Sequence, residues 1–266
     1  LLIIVLVLIE ATGNFMISSS LPVNEEFIRS APNFSDTTGP LGLTACLAVT
    51  EQQRRDVFAL RHTSYLSGGY IDPRPRGLFS DPYDAQPNCQ SIIVYRGERP
   101  VASVRVCVLD TEPARTGWQD IPATHVFPDE IGTCMNDVAA EPGRDPLAPV
   151  RAIEINRLVR HPDFATDFSL VFALFHLAGY MILHHETDIV FSCVRKNHVP
   201  FYKRLKFTQI AGPRSYPELK FSTNLLACSR ENYDAVQRMM PSLDVESANS
   251  NLSNIVDGHK LHLVGR

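Results

Sequence analysis

The chain predicts an α/β domain folded around one mixed sheet, and three observations carry that expectation. Val150 to Val159, VRAIEINRLV, is a β-branched apolar run, the pattern of a strand inside a core. Leu170 to Leu183 is apolar almost all round, yet shorter than the roughly 20 residues a bilayer span needs, so it reads as a buried helix. Around these two, strand and helix patterns alternate as β-α-loop-β-β-insertion-β-α-β-α-β-β, which builds a sheet with helices packed on it.

The opening LLIIVLVLI is too short to cross a membrane, and no basic segment precedes it as in a secretory signal. It is either the end of a longer hydrophobic stretch or translated upstream sequence with Met16 as the natural start; the second is favoured. Residues 13–40 are rich in Ser, Asn, Pro, Thr and Gly and read as a flexible arm. Residues 1–40 are thus set apart from a domain over 41–240 and a loose polar tail over 241–266.

Leu41 to Val49 is the first strand. Thr50 then caps a helix over Glu51 to Leu66, with Val57 and Leu60 on one side and Arg54, Arg55 and Arg61 around it. Residues 67–88 are a long loop crowded with Gly, Pro and Asp; Tyr70, Phe79 and Tyr83 argue that it is ordered. Ser91 to Tyr95 and Val101 to Leu109 form a hairpin about Gly97-Glu98-Arg99. Six prolines make residues 110–149 an irregular insertion, with one short helix expected. After the central strand come a helix over Asp167 to Glu186, a strand over Ile189 to Val194 and a short helix over Pro200 to Lys206. Its proline sits in the first turn, where a missing N–H is harmless. Strands over Phe207 to Ala211 and Phe221 to Cys228 follow, then a helix from Arg230 to Met240 stopped by Pro241.

A net charge of −4 argues against nucleic-acid binding, which needs a broad basic surface. The six cysteines form no C-x-x-C pair and no His-x-x-x-His accompanies them, so no metal site is expected. Cys107, Cys193 and Cys228 lie in apolar runs, as buried thiols of a reducing, cytoplasmic compartment do. Membrane contact through the apolar start is left open.

Glu154 and Arg157 stand out inside the central strand, where each costs several kcal/mol unless paired or put to use. Strict alternation puts Glu154 and Asn156 on one face and Ile153, Ile155 and Arg157 on the other. A β-bulge would bring Glu154 and Arg157 to one side and splay the strand from its neighbour; an ion pair at a strand end fits equally well. From Arg195 to Tyr216 there are six basic residues and no acid: Arg195, Lys196, Lys203, Arg204, Lys206 and Arg214. Such a run is either a solvated helix face or a docking surface for an acidic partner.

Asn197, Tyr202 and Phe207 resemble the N-x-x-x-x-Y-x-x-x-G-F segment of the GCN5-related N-acetyltransferases (GNATs), with Lys206 in place of the glycine. Phe58, Arg61, Asp81 and Asp84 in SDPYD, Arg105 in VASVRV, and Glu154 with Arg157 in EINRLV resemble the acyl-homoserine lactone synthases. They are more similar still to the related N-acyl amino acid synthases, and the match runs over about residues 41–228. One departure is that the lactone synthases typically carry a tryptophan after the first helix, whereas this chain has Gly68, Gly69 and Tyr70 there and its single tryptophan, Trp118, in the insertion.

The resemblance implies a GNAT-like fold: a central mixed, mostly antiparallel sheet, splayed at the central strand and flanked by helices. It implies transfer of a long-chain acyl group from acyl carrier protein to the α-amine of an amino acid. Glu154 would take the amine proton, directly or through a water, and Tyr202 would protonate the departing thiolate, although an ordinary core tyrosine is nearly as good a description. Arg61, Asp81, Asp84, Arg105 and Arg157 would order the loop over the acceptor and bind it. Acetyl-CoA enzymes of this fold cradle the pyrophosphate with Q/R-x-x-G-x-G/A ahead of a helix. The segment from Arg157 to Ala165 lacks those glycines and carries Pro162 and Asp163. An acyl-phosphopantetheine arm on acyl carrier protein needs no such cradle, so it is the expected co-substrate, with no bound cofactor. Arg195, Lys196, Lys203, Arg204 and Lys206 would dock the acidic carrier. The alternatives are a lactone synthase using S-adenosylmethionine and a non-catalytic acyl- or carrier-binding module.

Overall fold

The computed structural model describes residues 33–34, 42–112, 120–216, 218–239, 250–251, 253–255 and 259–264. The apolar start, Met16 and Trp118 lie outside them. The described strands are β1 (Asn33–Phe34), β2 (Leu43–Leu47), β3 (Cys89–Arg96), β4 (Arg99–Asp110), β5 (Arg151–Arg160), β6 (Ile189–Val194), β7 (Thr208–Ser215), β8 (Ser222–Ser229) and β9 (Leu261–Val264). They form one sheet in the order β1-β9-β2-β3-β4-β5-β6-β8-β7. Every neighbouring pair is antiparallel except β5 with β6, so the sheet is mixed and mostly antiparallel, as expected.

The helices are α1 (Glu51–Ser67), α2 (Pro122–Val126), α3 (Pro128–Ala139), α4 (Phe168–His184), α5 (Val199–Arg204) and α6 (Arg230–Met239). Thr50 caps α1 as expected: its side chain accepts from Gln53 N, and the Gln53 side chain reaches back to the Thr50 backbone. Asp167 caps α4 by accepting from Ser169 N. Two expectations need correction. The insertion holds two helices, α2 and α3, each entered through a proline at its first turn. The loose tail contributes a strand: Leu261 to Val264 pairs with β2 on one side and with Asn33–Phe34 on the other, so both segments set outside the domain complete its edge.

Each face of β5 buries against a different layer. Ile153 and Ile155 pack with Leu170, Leu174, Leu177 and Ala178 of α4, where each buried leucine contributes about 1.5–3 kcal/mol. On the other face Ala152, Ile189, Phe191 and Leu225 pack under Ile121, Ala123 and Phe127 of the insertion. Glu154 emerges into this second layer.

Candidate active site

The central strand is bulged. Arg157 has φ 51°, in the left-handed region, and the β4–β5 register slips there: Arg105 faces Asn156 while Ser103 faces Val159, so Arg157 and Leu158 together oppose Val104. The bulge swings Arg157 off the face of Ile153 and Ile155 and onto that of Glu154 and Asn156. A left-handed non-glycine residue costs about 1–2 kcal/mol, and the ion pair of Arg157 with Asp81 holds it there. The strand also parts from its neighbour. Parallel pairing of β5 with β6 covers only Ala152, Ile153 and Glu154. Beyond it a cleft of about 240 Å³ opens between Ile155–Arg160 and Ser192–Arg195.

The loop before β3 is pinned to the sheet by charge. Arg61 on α1 donates to Asp84 at 2.7 Å and to the Ser91 hydroxyl at 2.7 Å. Arg105 on β4 donates to both Asp81 oxygens at 2.7 and 3.0 Å, to Asp84 at 3.0 Å and to Asn156 Oδ1 at 2.8 Å. Arg157 donates to Asp81 through Nη2 at 2.7 Å and Nε at 3.2 Å. Burial works against ionisation of Asp81, but Arg105 and Arg157 outweigh it and hold the carboxyl far below the usual range. The five residues that the sequence grouped are therefore one contiguous network. Only Arg157 among them lines the cleft; Arg61 and Arg105 hold Asp81 and Asp84 of the loop from beneath.

Glu154 pairs with none of the arginines. Its Oε2 accepts from the Ala123 backbone N–H at 2.8 Å, and its Oε1 has no partner. Burial raises its pKa; the Ala123 hydrogen bond opposes that without cancelling it. Of the two alternatives, the ion pair with Arg157 is not formed, because Asp81 takes the guanidinium. Glu154 is 0% exposed. Its charge is felt by Cys193 and Tyr216, both of which line the cleft.

Tyr202 on α5 lines the cleft, beside Ser192 and among Phe175, Phe201 and Phe207. Burial raises its pKa. Lys206, two residues past α5, has φ 63°, which explains why a glycine suits that place in the motif it resembles. At the mouth, the Arg195 guanidinium stacks on Tyr70 and Phe221 and bonds the Tyr70 hydroxyl and His198. The Tyr70 ring fills the space over Gly68, where a Cβ would lie 2.2 Å from Cε2. Among the described residues no group of three His, Cys, Asp or Glu could hold a metal ion.

Residues 56–229 match the family described as N-acyl amino acid synthase FeeM. The chain belongs to this family. The synthase is an acyltransferase with a GNAT fold, and solved neighbours share that fold. One is FeeM itself, an N-acyl amino acid synthase from uncultured soil microbes, at 16% identity and TM-score 0.57, covering 73% of this chain and 93% of that one. Another is BjaI, described as a CoA-dependent acyl-homoserine lactone synthase, at 22% identity and TM-score 0.50, covering 79% of this chain and 100% of that one. A comparison with curated proteins finds no match.

The basic run divides in the structure. Lys196, Lys203 and Lys206 are exposed and Arg204 is half-buried, whereas Arg195 turns into the cleft mouth and Arg214 pairs with Glu130. Tyr216 was not among the residues singled out above: it lies in the connection between β7 and β8, outside any periodic pattern, and reaches the cleft only through the fold. No helix among the described residues is long and apolar enough to cross a membrane.

Proposed function

We propose that the synthase moves a long-chain acyl group from the phosphopantetheine arm of acyl carrier protein to the α-amine of an amino acid. The cleft opened by the bulge at Arg157 carries this reading, because it offers an extended thioester a passage between β5 and β6. The amine nitrogen bonds to the thioester carbonyl, and backbone N–H groups freed by the splay stabilise the oxyanion. Glu154 takes the amine proton through a water; its raised pKa makes it a better base than an ordinary carboxylate. The C–S bond breaks and the thiolate takes a proton from Tyr202, which burial keeps in its phenol form. The products are an N-acyl amino acid and a free pantetheine thiol.

The choice of donor is supported at the start of α4. Asp167 fills that helix terminus by accepting from Ser169 N at 3.1 Å, and it is tied to Arg96 at 2.6 Å. Asp163 is paired with Arg99 just before it. The first turn of α4 is thus engaged by Asp167 and no glycine cradle precedes it, which favours a donor without a pyrophosphate. Acyl carrier protein should give a kcat/KM far above that of the matching acyl-CoA. Equal values would overturn the carrier and favour the CoA donor of BjaI. Mass spectrometry of lipids from cells expressing the chain tests the product: N-acyl amino acids support the reading, while acyl lactones or neither product overturn it.

A further inference from the structure

The end of the cleft next to the bulge has unmet hydrogen-bond donors. Arg157 Nη1 and the Tyr216 hydroxyl are buried and have no partner. Their residues are 7% and 8% exposed. A buried polar atom left without a hydrogen bond costs about 1–3 kcal/mol, so two that line one opening mark a seat for a ligand. Arg157 and Tyr216 both line the cleft, and the guanidinium lies 5.5 Å from the Tyr216 ring centroid. Both are donors: Arg157 is always charged, and burial lifts the Tyr216 phenol well above its ordinary pKa, so it keeps its proton. Glu154 lies behind the cleft wall, against Ala123. No Asp or Glu lines the cleft, whereas Arg157, Arg160 and Arg195 do, so an anion entering it meets only positive charge.

We infer that Arg157 Nη1 and the Tyr216 hydroxyl seat the carboxylate of the acceptor, which leaves its amine to reach Glu154 through a water. This rests on the N-acylation reading above and adds to it a carboxylate requirement and a positioning residue, Tyr216. An acceptor with a carboxylate meets both donors at once; a simple amine leaves them unmet.

The test uses the full chain with a synthetic acyl-pantetheine thioester as donor. The acceptors are free amino acids and, for each, the matching carboxamide. The preferred amino acid should exceed its carboxamide by at least about 100-fold in kcat/KM, because loss of the carboxylate strands both donors. Tyr216→Phe removes one donor without touching Asp81. It should raise KM for the acid about 10-fold with kcat little changed, and narrow the acid-to-amide ratio. Equal turnover of acid and amide by the parent would overturn the carboxylate seat while leaving N-acylation standing. So would a Tyr216→Phe variant whose loss falls equally on both acceptors. Acylation of neither would overturn N-acylation and the seat together.

Discussion

Arg105 and Arg157 grip the same carboxylate, Asp81, from adjacent strands, yet their situations differ. Every nitrogen of the Arg105 guanidinium donates a hydrogen bond, to Asp81, Asp84 or Asn156. Arg157 uses two nitrogens on Asp81 and leaves Nη1 buried and unpaired at the cleft. The strands explain the difference. β4 is regular at Arg105, so its side chain drops straight into the network, whereas the left-handed bulge turns Arg157 so that one edge meets Asp81 and the other the opening. One charge cluster thus has a closed side that fixes a loop and an open side that faces ligand. Closed-side changes should cost stability, and open-side changes should cost activity.

The largest effect is expected next to the open side, at Glu154 behind the cleft wall. Glu154→Gln keeps the shape and the acceptor for Ala123 but removes the base, so kcat should fall by about 10² to 10⁴. The fall should be smaller at high pH, where more of the free amine is already deprotonated. Its stability signature is opposite in sign to that of a broken ion pair. Burial raises the Glu154 pKa, so the folded state favours the protonated form. That contribution is fully present below the unfolded value of about 4.3 and is lost as pH rises through the higher folded value. Thermal melts should therefore agree for parent and variant below about pH 4, with the variant equal or more stable near neutrality. Near-normal turnover, or a variant that melts far below the parent at pH 7, would erase the distinction between the two sides.

Asp81→Asn probes the closed side. Arg157 loses its anionic partner while buried and Arg105 keeps only Asp84, which should cost about 3–5 kcal/mol in denaturant unfolding. The depressed Asp81 pKa sets the pH dependence: its contribution is present above the unfolded value of about 3.9 and declines as pH falls towards the much lower folded value. The gap between parent and variant should therefore narrow in strong acid. A variant as stable as the parent at pH 7 would mean that the network does not fix the loop.

Tyr202→Phe is expected to act more weakly. A thiolate leaves with little help, so loss of the acid should lower kcat about tenfold, less than an essential acid is worth. Pre-steady-state kinetics of thiol release would show it, and unchanged release would make Tyr202 an ordinary core tyrosine.

Much of this division was legible in the sequence, for physical reasons that can be named. Two charges in an apolar strand must be paired or used, and Glu154 with Arg157 announced both the strand and its irregularity. Periodicity alone put Arg157 on the wrong face, because a bulge is a conformational choice that spacing does not record. The partners of Arg157 could not be read by spacing either: Asp81 lies in a loop 76 residues earlier, and only resemblance grouped it with the strand. Leu261–Val264 was missed because four alternating residues near the end of a polar stretch gain strand character only from the edge of β2. Tyr216 sits in a connection with no period at all, so nothing local marks it.

The smallest effect is expected outside the cluster, and it tests whether helix α5 serves chemistry or docking. Tyr202 points inward from this helix, while Lys203 is exposed and Arg204 half-buried on its outer side. Reversing Lys203 and Arg204 to Glu removes two positive charges from the rim without entering the cleft. Rim charges act mainly on association and are screened beyond roughly 8 Å at physiological salt, so kcat/KM with acyl carrier protein should fall only about 3- to 10-fold at low salt and little at high salt. Turnover of a free acyl-pantetheine thioester should not change, because that donor has no acidic surface to steer. An equal loss with both donors would mean that the substitutions disturb Tyr202 through the helix. No loss with either would place the carrier elsewhere on the surface, leaving Lys203 and Arg204 as a solvated helix face.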